Sequence, residues 1–427
     1  MVGHIPQHNA TTGGPEHVTA YAWLVFALSF GLLISDYMAR QVLNAVFPLL
    51  KAEWSLSDAQ LGLLSGIVAI MVGVLTFPLS LAADRWGRVR SLTLMAILWS
   101  LATLLCAVAE SFETMLIGRA LVGIGEAAYG SVGIAVVISV FPARLRATLT
   151  AAFMAGGLFG QVLGVALGGG IAASHGWRAA FAAIGIAGLI MGVLYPIIVR
   201  ERRIRALAGG ASADNAFAAK VPLRELVGNR SVRLAYLGSG LQLFAAGALP
   251  AWLPSYFNRY YNLPVDRAGT LAAVLLLLCG TGMILCGMVS DRISRERPER
   301  KIALAISYTL GTALCLTLAM ALPPGPMQLV LLGGAMLLVA GTVGPVGAMV
   351  ANLTPLAIHG SAFATLTLAN NLIGLAPGPI LTGRMADAIG LAEAFRLLPV
   401  PCLLAALTYA MMRRSYLGDL AAQRAST

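Results

Sequence analysis

Stretches almost free of charge recur along this 427-residue chain, each reaching the roughly 20 residues that cross about 30 Å of hydrocarbon as a helix. No water is available inside a bilayer to satisfy backbone N–H and C=O groups, so runs of this kind are confined to helices packed side by side. Twelve can be placed, at 20-50, 59-83, 91-110, 112-140, 148-174, 177-199, 232-258, 267-290, 301-322, 327-354, 360-388 and 391-412. A soluble globule is excluded, because 58% hydrophobic against 11% charged residues leaves too little polar surface to cover one. The expected fold class is an all-α integral membrane protein with twelve transmembrane helices.

The formal net charge of +11 raises the question of a nucleic-acid partner, and the positions of the basic residues answer it. With a cytoplasmic N-terminus, the even-numbered connections and both tails hold 21 of the 29 Lys and Arg residues, and the opposite side about six. That is the positive-inside bias, so both termini are expected in the cytoplasm and no nucleic acid is expected as a partner. Arg40 and Arg119 fit neither group. Only Lys51, Lys220 and Lys301 are lysines, the bias of a G+C-rich bacterial genome, which makes a bacterial inner membrane the expected location. Residues 1-19 lack a basic start and the first run is too long for a signal-peptide core, so the first helix is expected to stay. All five cysteines, Cys106, Cys279, Cys286, Cys315 and Cys402, fall inside runs, where packing is expected rather than a disulfide or a metal.

One long polar interruption, 200-231, reads as a central cytoplasmic linker between an N-terminal bundle at 20-199 and a C-terminal bundle at 232-412. Tails at 1-19 and 413-427 complete the chain. A charged turn is used twice: Asp84, Arg85, Gly87 and Arg88 follow the second run, and Gly287, Asp291 and Arg292 close the eighth. Phe141-Pro142 with Arg146 is echoed by Thr354-Pro355 with His359 at the same spacing. The helices that follow are rich in small residues, Gly156, Gly160, Gly164 and Gly168 in one half and Gly374, Gly378 and Gly383 in the other. Duplicated halves of this kind form two pseudosymmetric bundles with a site between them.

These residues resemble the major facilitator superfamily from Tyr21 to Arg414. Its loop motif, Gly-x-x-x-Asp-Arg-x-Gly-Arg-basic, is matched at Asp84, Arg85, Gly87 and Arg88, with Ser80 for the first glycine and Val89 inside the basic pair. Arg119-Ala120-Leu121-Val122-Gly123-Ile124-Gly125-Glu126-Ala127, followed by Tyr129, is similar to the fourth helix of the spinster-like branch. The entry Asp58-Ala59-Gln60-Leu61-Gly62-Leu63-Leu64-Ser65 fits that branch and the neighbouring organic-anion symporters. Both branches carry Asn-Tyr-x-Asp-Arg in helix one, and here the order is Asp36-Tyr37-Met38-Ala39-Arg40. The acid sits three residues early, on roughly the same face and one turn from Arg40.

An ionisable group inside a span costs several kcal/mol unless it is paired or reaches water. Four are kept: Asp36 and Arg40 in the first run, Arg119 and Glu126 in the fourth. Burial penalises a carboxylate while a nearby Arg favours it, so moving the Arg would switch proton binding. Glu126 is the first candidate for the proton carrier and Asp36 the second, with Arg119 and Arg40 as the groups that switch them or hold an anionic head group. The alternative is static pairing that fixes helix one against helix four. The paired loop motif is expected to close the cytoplasmic side, with Asp84 at the positive N-terminus of a helix from the other half and Arg85 and Arg88 on acids or lipid phosphate. Its alternative is a solvated turn. Neutral-polar candidates for the substrate cavity are Tyr37, Tyr129, Gln161, Gln242, Asn370 and Asn371, each with an ordinary interhelical hydrogen bond as the other reading. Trp252, Trp54 and Trp177 are expected as aromatic anchors near the outer interface.

Enzyme motifs fail. No Gly-Lys pair exists, which removes a P-loop, and the five His residues show no metal-binding spacing. Gly123-Ile124-Gly125-Glu126-Ala127-Ala128 imitates a dinucleotide fingerprint but lies mid-span with no strand before it. The expected function is a proton-driven secondary transporter working by alternating access, monomeric by family default, with no cofactor and the proton gradient as driving force. The resemblance implies lipid-derived amphiphiles such as lysophospholipids in one branch and small carboxylates in the other, and the apolar second half leans toward the amphiphile. A transport-incompetent sensor or scaffold is the reading from another class.

Overall fold

The computed structural model describes residues 19–207, 228–295, 297, 299–355 and 358–426, so the tail placed at 1-19 and most of the linker placed at 200-231 lie outside it. The first half runs through α1 (Ala20–Trp54), α2 (Asp58–Trp86), α3 (Arg88–Ala107), α4 (Phe112–Glu126), α5 (Tyr129–Val140), α6 (Ala143–His175) and α7 (Trp177–Ile198). A short α8 (Glu201–Leu207) follows, and then α9 (Arg230–Tyr260), α10 (Val265–Ile293), α11 (Arg300–Ala321), α12 (Pro326–Val339) and α13 (Val343–Leu353). The chain ends with α14 (His359–Ala369), a π segment (Asn370–Leu375), α15 (Pro377–Ile389), α16 (Leu391–Arg396) and α17 (Pro399–Ser426). Eleven helical stretches are long and apolar enough to cross a membrane, and 359–389, continuous through its π segment, is a further run of that length. No strand occurs among the described residues.

Local chemistry sets the helix boundaries. Thr19 caps α1 by accepting from the Ala22 N–H, Ser57 and Gln60 form a reciprocal box at α2, and Ser111 caps α4. Gly87, Gly176 and Gly390 end helices at positive φ, where a side chain would be strained. The eleventh run widens into a π turn just before Pro377, which lacks an N–H and whose ring would clash with the carbonyl four residues back in a continuous α-helix.

Duplication is visible in geometry. The fourth and tenth runs are each broken in the middle, after Glu126 and after Val339. Arg146 Nε donates to the Phe141 carbonyl at 3.4 Å, and His359 Nε2 contacts the Thr354 carbonyl at 3.0 Å, so the echoed motifs close the same turn. The last helix runs to Ser426 rather than ending at 412, because Asp419 accepts from the Ser231 N–H at the start of α9 and Ser415 bonds Ser231 at 2.9 Å.

The glycine stripe of α6 faces α1. A Cβ on Gly160 would lie 2.6 Å from the Ile34 carbonyl, and one on Gly164 would lie 2.8 Å from Met38 Cα. Close backbone approach of this kind is how helices associate where no hydrophobic drive operates between them. Gly160→Ala is expected to lower stability by about 1–3 kcal/mol through overpacking. Gly170→Ala, facing open space, is expected to leave it unchanged or slightly raised; thermal unfolding in detergent measures both.

Candidate functional site

A cavity of about 550 Å³ lies between the halves. One wall is polar and comes from the first half: Tyr37, Arg40, Gln41 and Asn44 of α1, Ser65 of α2 and Gln161 of α6. The facing wall is apolar, with Leu243 and Pro250 of α9, Leu276, Cys279 and Met283 of α10 and Val343 of α13. The polar groups form a chain. Ser65 Oγ donates to Asn44 Oδ1 at 3.1 Å, Asn44 Nδ2 to Gln41 Oε1 at 2.6 Å, and Gln41 Nε2 to Gln161 Oε1 at 3.4 Å. Each amide oxygen in it accepts a bond from its neighbour, and the wall as a whole offers polar partners to a solute.

Behind Arg40 sit the acids. The Asp36 and Glu126 side chains are neighbours and both buried, 5% and 8% exposed. Arg40 Nη1 lies 4.0 Å from Glu126 Oε2, and its side chain is 21% exposed. Arg40 therefore touches the acid pair on one side and the cavity on the other. Asp36 Oδ1 and Glu126 Oε1 have no hydrogen-bond partner among the described residues.

The local fold explains why Glu126 is there. Gly123 and Gly125 let α4 press against Val68 of α2 and the backbone of Trp99 in α3, where a Cβ would meet atoms at 2.8 Å. The Gly-x-Gly run is thus a packing device, and the break at Ala127-Ala128 ends α4 with Glu126 facing α1. At the same distance before the echoed Pro, Val339 stands where Glu126 does and Leu332 where Arg119 does, so the second half has the architecture without the charges.

Arg119 differs from the expectation. It is fully buried, and its N–H groups go to the backbone carbonyls of Ala39 at 2.8 Å, Arg40 at 2.9 Å and Leu64 at 3.3 Å rather than to a carboxylate. It ties α4 to α1 and α2. Among the neutral candidates, Tyr37 and Gln161 line the cavity and four others do not. Tyr129 is buried against Trp99 and donates to the Ser29 carbonyl, and Gln242 is spent on Thr312 and the Val339 carbonyl inside the second half. Asn370 opens the π segment, and Asn371 beside it packs against Gly73 of α2. Trp252 is no interfacial anchor: it is fully buried between the halves, 5.2 Å from Phe47.

At the end of the molecule carrying the chain termini, the terminal face, the loop motifs contact only their own half, whereas the halves meet at the opposite, distal face. At the terminal face Arg85 is exposed, Gly87 turns at φ +97°, and Glu201 accepts from the Val89 N–H at 2.8 Å within the same half. Arg88 is half-buried, and the Asp84 side chain lies outside the described residues. Gly287 meets nothing, Arg292 is exposed, and Asp291 pairs with Lys301 at 3.5 Å, again within one half. At the distal face α2 and α15 touch backbone to backbone, with Gly62 on the Pro379 carbonyl and Gly383 on the Asp58 carbonyl. The sequence reading missed Gln41, Asn44 and Ser65, although two amides one turn apart beside Arg40 were a signal; it also missed the distal Asp58, Arg259 and Asp387.

The sequence pattern described as the Major Facilitator Superfamily matches residues 29–376. The chain belongs to the major facilitator superfamily. It is a multi-pass membrane transporter and not an enzyme. It is 25% identical over 366 residues to the hexuronate transporter of Bacillus subtilis, covering 84% of this chain and 86% of that one. It is 27% identical over 308 residues to the sphingosine-1-phosphate transporter SPNS2 of Danio rerio, covering 68% and 61%. In fold it is similar to a bacterial homolog of the human lysosomal transporter Spinster, crystallised in an inward-facing and occupied conformation. The TM-score is 0.81 at 21% identity, over 94% of this chain and 99% of that one. A crystal structure of a D-xylose-proton symporter gives a TM-score of 0.73 at 18% identity, over 91% and 97%.

Proposed function

We propose that this transporter moves an amphipathic organic anion together with protons, by alternating access. The observation that carries the reading is the position of Arg40, between the Asp36–Glu126 pair and the cavity. With one shared proton the pair bears a single negative charge that holds Arg40. A second proton removes that charge and frees the guanidinium for an anion in the cavity, so proton and anion binding favour each other. An apolar body of the solute would lie on the Leu243, Leu276 and Met283 wall. The relatives' solutes, hexuronate and sphingosine-1-phosphate, both carry an acidic group. With both termini in the cytoplasm, as the basic loops call for, the contacts between the halves at the distal face support reading this as the inward-facing state.

The test is uptake into proteoliposomes under an imposed pH gradient, with a panel of sugar acids, aromatic carboxylates and single-chain lipid phosphates. Accumulation that collapses when the gradient is dissipated supports the reading; gradient-independent equilibration of every compound overturns it. Arg40→Gln is expected to weaken anion binding about 10- to 100-fold, the worth of one charged hydrogen-bonded contact, and the concentration dependence of uptake measures it. An unchanged concentration dependence would remove Arg40 from the binding site.

A further inference from the structure

Four charged side chains from four helices meet at the distal face: Lys51 of α1, Asp58 of α2, Arg259 of α9 and Asp387 of α15. Asp387 reaches across to the other half and accepts from the Asp58 N–H at 2.7 Å and the Ala59 N–H at 2.8 Å. It thereby supplies the free N-terminus of α2 with a carboxylate, where the helix dipole favours one. The Asp58 carboxylate takes both fork nitrogens of Arg259, at 2.7 and 2.6 Å, and Lys51 Nζ at 2.6 Å. Its side chain is 4% exposed, while Arg259 and Lys51 are 25% and 38% exposed, so a buried carboxylate is held by cations that reach toward water. Beneath them Phe47 and Trp252 close the passage, and Trp252 Nε1 donates to the Pro379 carbonyl at 3.1 Å.

The same α2 carries the Asp84 turn at its other end, and it packs along both α14 and α15. We propose that α2 and the 359–389 helix form one rail with a lock at its distal end. The Asp387 cap and the Asp58–Arg259 fork hold the halves closed there, and their release is the step that exposes the cavity to the distal side. The proposal rests on the alternating-access reading above, but not on the identity of the solute.

Cys279 lines the cavity and provides a native reporter. In a chain keeping Cys279 as its single cysteine, a membrane-impermeant maleimide is applied to either face of sealed vesicles of known orientation. Asp387→Asn, Asp58→Asn and the milder Arg259→Gln are each expected to label from the distal face at least about tenfold faster than the parent, and correspondingly slower from the terminal face. Distal rates equal to the parent's in all three variants, with protein that remains monodisperse, overturn the lock. Faster labelling from both faces at once would indicate a leak, overturning alternating access itself and with it the lock that depends on it.

Discussion

Glu126→Gln is expected to lower gradient-driven transport by about 5- to 150-fold, the range of a coupling free energy of about 1–3 kcal/mol. The amide is isosteric and can donate to the neighbouring Asp36, so the fold should survive and solute exchange without a gradient should continue. Asp36→Asn should act in the same direction. The double variant should cost little more than either single change, because the pair takes up and releases protons as a unit. Measuring gradient-driven uptake and gradient-free exchange on the same preparations separates loss of coupling from loss of protein. If both single variants kept gradient-driven transport, the pair would be a static brace between α1 and α4.

Arg119→Ala is expected to fail differently, through stability. Three backbone carbonyls on α1 and α2 would lose a charged donor in a site that water does not reach, and the missing side chain would leave a void. Hydrogen bonds to charged groups are worth about 1.5–3 kcal/mol each, so a loss of about 4 kcal/mol or more is expected even after partial collapse. That is a large share of a typical folding free energy of about 5–15 kcal/mol. Recovery of monodisperse protein and its melting temperature in detergent should fall sharply, while transport per surviving folded molecule should stay near the parent's. Intact stability in Arg119→Ala would show that the carbonyl contacts contribute nothing to the fold.

The contrast between these two buried residues shows what was legible in the sequence. A charge in the middle of an apolar run announces that something compensates it, which is why Asp36, Arg40, Arg119 and Glu126 stand out from composition alone. What compensates it depends on the third dimension. Arg119 and Glu126, two turns apart on one helix, read as parts of one site, yet the guanidinium finds carbonyls and the carboxylate finds another carboxylate. Neutral polar residues were harder still, since Gln242 bonded inside a bundle and Gln161 exposed to a cavity have the same local sequence signal. The distal cluster was hidden for another reason: Asp58, Arg259 and Asp387 lie near the ends of runs, where charges usually just meet water. The helical runs themselves, and the small-residue stripe of α6, were readable because hydrophobic length and close backbone approach are local properties.

The absence of charge at Val339 and Leu332, where the first half has Glu126 and Arg119, bears on the electrical behaviour of the transporter. A charge displaced through the full membrane potential exchanges about 2.3 kcal/mol per 100 mV. With the mid-membrane charges confined to one half, Arg40 offsetting the acid pair and Arg119 fixed among backbone carbonyls, voltage has little movable charge to act on. What it can act on is the cargo. A monoanion carried with one proton crosses as a neutral load that the potential neither drives nor opposes, whereas a dianion with one proton would be expelled from a negative interior. Current recorded across a supported membrane during transport would therefore count the protons that accompany each anion.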